Sequence, residues 1–301
     1  MKKLILLTTF LLPLLIFSQS QLGSDINGEA AHDNSGTSVS MNSDGTIVAI
    51  GAYGNDEGGS NSGHVRVYEY SGGSWVQLGS DINGEAANDR SGQSVSLSSD
   101  GTIVAIGAYF NDGNGSDSGH VRVYQYSGGT WSQLGSDIDG EAGSDFSGYS
   151  VSLSNDGTRV AIGAYLNDGN GSNSGHVRVY EYSSSSWSQL GSDINGESSG
   201  DQSGWSVSLS GDGTTVAIGS KFNDGAHIVY SVGWNGYHLT INSASIADTG
   251  QVADIRILSI THDTRVTFLL DSTVTVPVYL RTTYGTDNTN LITTGVSNNG
   301  S

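Results

Sequence analysis

The sequence predicts an all-β chain: a β-propeller of four-stranded blades from 56-residue repeats, followed by a divergent β-rich C-terminal region. Three observations predict it. The run Gln-Leu-Gly-Ser-Asp-Ile begins at Gln21, Gln77, Gln133 and Gln189, each start 56 residues after the last. Inside each copy, short stretches of period-two alternation are separated by turns rich in Gly, Asn and Asp. No repeat shows helical periodicity, and 44 glycines in 301 residues weigh against helices.

The second copy shows each element in order. Residues 94–98 (Ser-Val-Ser-Leu-Ser) alternate small polar and apolar side chains and read as a strand. Asp100-Gly101 follows, a strong hairpin signal. Residues 102–108 are nearly all apolar, as suits a strand buried on both faces between packed blades. A loop over 111–119 leads to residues 120–126, which alternate again. A Ser-Gly-Gly turn then gives a fourth strand from Trp131 to Gly135. Four antiparallel strands make one blade.

These spacings divide the chain into repeats at 21–76, 77–132, 133–188 and 189–235, with 236–301 as a C-terminal module or closing blade. In three copies the tryptophan strand runs into the hexapeptide, from Trp75, Trp131 and Trp187. The segment 21–26 carries the hexapeptide without its tryptophan. It is therefore suited to complete the blade formed by the other end of the chain. The fourth copy degrades after Asn223-Asp224-Gly225, with His227 and Trp234 as remnants of the pattern.

Residues 1–20 read as a secretory signal peptide: Lys2 and Lys3, an apolar run over 4–17, then small residues. An uncleaved membrane anchor is the alternative. The chain has no cysteine, which excludes a disulfide scaffold and thiol chemistry and suits a bacterial exported protein. Its net charge of −19, about −21 without the two leader lysines, disfavours nucleic acid and anionic membrane as partners. The expected location is secreted or at the cell surface, with no membrane insertion after cleavage.

The segment Ser91-Gly92, Ser94 to Leu97, Asp100-Gly101-Thr102 and Val104 to Ala108 resembles the FG-GAP repeat of integrin α-chain-type propellers, in its bacterial exported branch. The likeness returns four times between Gln21 and Gly225. It implies an extracellular propeller used in adhesion or recognition, often with calcium in blade loops. The sequence departs from that family in two ways. The hairpins at Asp44, Asp100, Asp156 and Asp212 lack the earlier carboxylates of the calcium loop. Tyr53, Tyr109 and Tyr165 replace the proline of Gly-Ala-Pro.

Two other loops offer oxygens to a hard cation, which takes about six to eight of them. The first holds Asp112, Asn114, Ser116 and Ser118, matched by Asp168, Asn170, Ser172 and Ser174; the copies at Asp56 and Asp224 are poorer. The second holds Asp25, Asn27, Glu29 and Asp33, then Asp81, Asn83, Glu85 and Asp89, then Asp137, Asp139, Glu141 and Asp145, then Asp193, Asn195, Glu197 and Asp201. The sequence leaves two readings open for both, a calcium site or a turn held by side-chain to backbone bonds.

His64, His120, His176 and His227 share one repeat position and read as hydrogen-bonded braces within blades. The repeat tryptophans read as blade packing. Phe146, Tyr149 and Trp205 sit where other copies carry small or polar residues, and variable loop positions are where a recognition face differs between blades. Tyr149 and Trp205 are the expected ligand contacts. No nucleophile–base pair or off-repeat carboxylate pair stands out, so the chain is not expected to be an enzyme. The favoured expectation is a binding or adhesion module for an extracellular protein or glycan, oligomeric if its ring is incomplete. A structural surface or matrix protein is the alternative, and a carbohydrate-active hydrolase a more distant one.

Overall fold

The structure, a computed structural model, describes residues 20–223 together with short strands at 228–231, 256–257, 280–282 and 291–292. The expectations for the leader before Ser20, for Asp224, His227 and Trp234, and for most of 236–301 lie outside the described residues.

Four sheets follow one another along the chain. The first contains β1 (Ser38–Met41), β2 (Ile47–Ala52), β3 (His64–Ser71), β4 (Ser74–Gln77) and β5 (Ile82–Asn83). The second contains β6 (Ser94–Leu97), β7 (Ile103–Ala108), β8 (His120–Ser127), β9 (Thr130–Gln133) and β10 (Ile138–Asp139). The third contains β11 (Ser150–Leu153), β12 (Arg159–Ala164), β13 (His176–Ser183), β14 (Ser186–Gln189) and β15 (Ile194–Asn195). The fourth contains β16 (Ser203–Leu209), β17 (Thr215–Ser220) and β18 (Ile228–Ser231). The short strands β19 (Arg256–Ile257), β20 (Leu280–Thr282) and β21 (Leu291–Ile292) pair among themselves.

Each complete sheet is an antiparallel blade in chain order. Its outermost position is filled by two pieces of one strand, such as β4 and β5, which both pair with β3. The chain is therefore an all-β protein with propeller blades, as the sequence predicts. The sheets span 38–83, 94–139 and 150–195, so a repeat cut at 76 or 132 divides the outer strand of a blade.

The alternation Ser-Val-Ser-Leu has a use on both faces. In β6, Val95 and Leu97 are buried against Ala49, Val65 and Val67 of the preceding blade. The serines face the following blade: Ser94 Oγ donates to Gly148 O at 2.8 Å, and Ser96 Oγ accepts from Leu153 N at 2.9 Å. The same pairs recur from Ser38 to Gly92 and from Ser150 to Gly204. Consequently β1, β6, β11 and β16 pack on one another in sequence. In the first blade the corresponding apolar face is open among the described residues: Val39 and Met41 are 65% and 56% exposed, against 8% for Val95 and Leu97.

The N-terminal segment docks on this first blade. Trp75 donates its indole N–H to Leu22 O at 2.9 Å, and Arg66 Nη2 donates to Asn27 O at 2.8 Å. Trp131 and Arg122 hold Leu78 O and Asn83 O in the same way. Residues 22–27 thus occupy, before the first blade, the place that the outer strand of the first blade occupies before the second. The segment has no strand partner among the described residues, and the blade it would complete in a closed ring lies outside them.

The Gly of Ile-Gly-Ala allows the blades to approach. A Cβ on Gly107 would lie 1.9 Å from Gly148 O, and Gly51 and Gly163 meet the same obstruction. Gly107→Ala should therefore destabilise the chain by about 3 kcal/mol through overpacking, seen as a loss of roughly 10 °C in melting temperature. Deleting residues 21–26 removes the Trp75 acceptor, and thermal unfolding should show a fall of about 5 °C; an unchanged melting point would mean that the segment contributes nothing to the blade it touches.

Candidate functional site

Each acidic loop is divided among several places. Its last aspartate is a turn device. Asp89 Oδ2 accepts from Ala86 N at 3.0 Å and from Asn111 Nδ2 at 3.1 Å, and Asp33, Asp145 and Asp201 are held alike. All four are buried. The Asn or Asp at the second position lies in or beside the outer strand, and its backbone carbonyl receives an arginine: Asn27 from Arg66, Asn83 from Arg122, Asp139 from Arg178.

The first aspartate and the glutamate go to different blades. Asp81 lies with Glu29 around His64; Asp137 with Glu85 around His120; Asp193 with Glu141 around His176. Glu57 joins the first group. The sequence reading set Asp25 to Asp33, and each later set, as one loop site. In the structure the carboxylates that converge come from successive copies. Asp25 stands at the start of the docked segment, where its Oδ1 accepts from Gln21 Nε2. Glu197 is not among these three groups.

In His64, His120 and His176 the expected bracing hydrogen bond is not made through Nδ1. Each is 1% exposed, and each Nδ1 is buried without a hydrogen-bond partner. His64 Nδ1 lies 3.5 Å from Asp81 Oδ2 and 3.8 Å from Glu29 Oε2, too far for a good hydrogen bond. Burial holds His120 and His176 down to about 4, with Arg122 and Arg178 adding and a facing aspartate opposing. Burial also lowers His64, against Asp81 and Glu29. In the opposite direction, burial raises Glu85, with Asp137 adding and Arg122 opposing.

A second feature joins the blades elsewhere: a band of aromatic rings. Tyr109 stacks on Phe110 at 4.2 Å and meets Tyr149 edge-on at 5.5 Å. Tyr149 then meets Tyr165 at 4.5 Å and Trp205 at 4.9 Å, and Phe146 lies against Phe110 and Tyr165. Cations close both ends: Arg90 sits 4.6 Å from the Phe110 centroid, and Lys221 Nζ 3.7 Å from that of Trp205. Tyr149, Tyr165, Phe146 and Trp205 are all half-buried. Burial and the neighbouring tyrosines Tyr149 and Tyr109 push the Tyr165 phenol up to about 12.

The band contains both expected ligand contacts, Tyr149 and Trp205, in contact with each other. Sequence reasoning missed Tyr109, Tyr165, Phe110, Arg90 and Lys221 as members. The first two follow Gly-Ala at one repeat position, so aligning the aromatics by the 56-residue period would have found them. Arg90 and Phe146 occupy one turn position at φ 57° and 58°, a left-handed conformation for which Asn34 in the first copy is better suited. Bulky residues tolerated there at a conformational cost mark the band as a place where the side chain matters.

The family model described as FG-GAP repeat matches residues 27–68, 83–124 and 136–180. The chain belongs to the FG-GAP repeat family. No curated protein matches the sequence. Among solved structures, the chain is similar to Kuenenia stuttgartiensis hydrazine synthase at 12% identity and a TM-score of 0.43, over 70% of this chain and 49% of that one. It is similar to Saccharomyces cerevisiae Sqt1 at 14% identity and a TM-score of 0.44, over 69% and 48%. The chain spans about half the length of these proteins, at 49% and 48%.

Acidic clusters of this FG-GAP chain could hold a metal ion, whereas the oxygens of the hairpins and of the Asp112-type loops are largely engaged within the protein. In the hairpins, Asp100 accepts from Thr102 N, Thr102 Oγ1 and Ser98 Oγ, and Asp44, Asp156 and Asp212 are similarly engaged. In the other loop, Asp112 Oδ1 accepts from Asp117 N, Asp168 Oδ1 from Asn173 N, and Asp56 Oδ1 from Asn61 N. Asn114 and Asn170 donate across to backbone carbonyls of the next connection. Most of these oxygens close turns, and where carboxylates do converge, a histidine nitrogen lies among them.

The lowered histidines set a pH dependence. A buried neutral histidine whose value falls below its unfolded 6.5 contributes stability that is present above that pH and lost as pH falls toward about 4. Melting temperature measured in chelator should decline across that window. His120→Gln should flatten the decline, whatever its effect on the absolute melting point.

Proposed function

We propose that this FG-GAP chain is a secreted or surface-displayed binding module that engages an extracellular protein or glycan through its aromatic band. The observation that carries the reading is the Tyr149–Trp205 pair, half-buried, flanked by Lys221, and placed at positions that differ between copies. Tyr and Trp present large rigid surfaces at low entropic cost, and Trp, Tyr and Arg are the side chains that most often anchor an interface. Phe222, beside Lys221, is 59% exposed and extends the apolar area.

Export is supported by the basic start and apolar run over residues 4–17. Among the described residues, no helix is long and apolar enough to cross a membrane. A binding role is favoured over catalysis because the converging carboxylates Asp137 and Glu85 are engaged by Gln133 and Arg122 and their counterparts recur from blade to blade. The choice between protein and glycan is made by direct measurement, with the full chain applied to a glycan array and to a panel of extracellular matrix proteins.

Tyr149→Ala and Trp205→Ala should each weaken the binding found there by about 5- to 30-fold, as loss of an anchoring aromatic does, while far-ultraviolet spectra stay unchanged. Binding that survives both substitutions would remove the aromatic band as the contact. Absence of any binding would leave the matrix-protein reading, in which acidic blades supply bulk alone.

A further inference from the structure

The His64, His120 and His176 clusters share a construction that turn formation does not explain. At the centre is an imidazole nitrogen, Nδ1, buried and unpartnered in all three copies. A buried polar atom without a partner is costly, and repeating that cost three times calls for a ligand. Asp81, Glu29, Asp137, Glu85 and Glu141 are each positioned through one oxygen and present the other to that nitrogen. Gln77 Nε2 donates to Asp81 Oδ1, while Asp81 Oδ2 faces His64. Arg66 lies 3.5 Å from Glu29 Oε1, while Glu29 Oε2 faces His64. In the second cluster, Gln133 and Arg122 orient Asp137 and Glu85, whose free oxygens lie 3.8 and 3.9 Å from His120 Nδ1. Gln189 and Arg178 orient Asp193 and Glu141 around His176. Such outer partners, fixing one atom of a ligand and aiming the other, are a hallmark of metal sites.

We propose that these three clusters are binding sites for a borderline divalent cation of the zinc class, each held by one histidine nitrogen and carboxylate oxygens. Tetrahedral zinc at about 2.1 Å sets neighbouring donors about 3.4 Å apart, so the histidine–carboxylate separations of 3.5 to 3.9 Å in the first two clusters need only a small contraction, while in the third, whose donors lie within 4.8 Å of one another, Asp193 must move further. A mixed nitrogen and oxygen set suits zinc, cobalt or nickel; calcium prefers oxygens alone and more of them. The glutamates are about 42–43% exposed and leave each cluster open to solvent for entry. Glu57 adds a fourth donor to the first cluster, where the later copies carry Gly113 and Gly169; the first site is therefore the tightest. Because Glu85 lies in the connection between blades and His120 within the next blade, a bound ion ties that connection to the blade.

The test is titration of the chelator-treated full chain with zinc chloride, followed by calorimetry and thermal unfolding, with calcium chloride in parallel. The expected result is three zinc equivalents, a melting temperature that rises with zinc, and no comparable response to calcium. Glu85→Gln combined with Glu141→Gln removes one exposed ligand from each of two sites and should reduce binding to the single site around His64; the metal-free variant should stay folded with a lower melting point, because Arg122 and Arg178 lose their carboxylate partners. If that variant proves unfolded, Asp137→Asn and Asp193→Asn make the same comparison. Absence of zinc binding, calcium binding equal to or tighter than zinc, or three equivalents retained in a folded double variant would each overturn the proposal.

Discussion

The structure depends on how closely one blade's backbone can approach the next. At Gly51, Gly107 and Gly163 the second strand of a blade passes against a carbonyl of the following connection, at Gly92, Gly148 and Gly204, with no room for a side chain. The same carbonyls accept from Ser38, Ser94 and Ser150. One contact therefore sets both spacing and register between blades. Once it is made, Val95 and Leu97 reach the apolar face of the blade before, and the core clusters form across the junction rather than within single sheets. A lone blade has little interior of its own.

Repetition of that junction also explains what is brought together. Because the connection between blades is held on both sides, the acidic loop within it cannot curl around one ion. Its last aspartate pins the turn, its glutamate meets the histidine of the blade ahead, and its first aspartate meets the histidine of the blade behind. A second constraint acts at the other end of the connection, where a left-handed turn aims residues 90 and 146 at their neighbours. Here the copies diverge, from Asn34 through Arg90 to Phe146 and Gln202, while the scaffold beneath them stays the same. Invariant junctions carry the fold, and variable positions mounted on them carry a surface that differs from blade to blade.

The junction between the third and fourth blades shows how much variation the scaffold accepts. Arg159 replaces the isoleucine of the earlier copies, is 7% exposed, and is held by Glu181 at 2.9 Å and by Gly213 O at 3.1 Å. Its aliphatic stem lies where Ile103 packs against Gly157 in the preceding junction, and its charge is answered by a carboxylate on the adjacent strand. An apolar contact is replaced by a satisfied ion pair without a change in blade spacing.

By itself the sequence determined the class of fold, the strand order within a blade and most strand limits. The reason is local: alternation in 94–97, the Asp100-Gly101 turn and the apolar run 103–108 each specify their own geometry within a few residues. It also pointed to Tyr149 and Trp205, because a 56-residue period makes departures visible. Only the tertiary structure decided which acidic residues meet. Asp81 is four residues from Glu85 in sequence and beside Glu29 in space, because successive copies fold onto different blades. Likewise, nothing within a repeat shows that the histidine Nδ1 is left without a hydrogen bond. That depends on the distance to carboxylates carried by neighbouring copies, which is set by how the blades pack and not by any spacing along the chain.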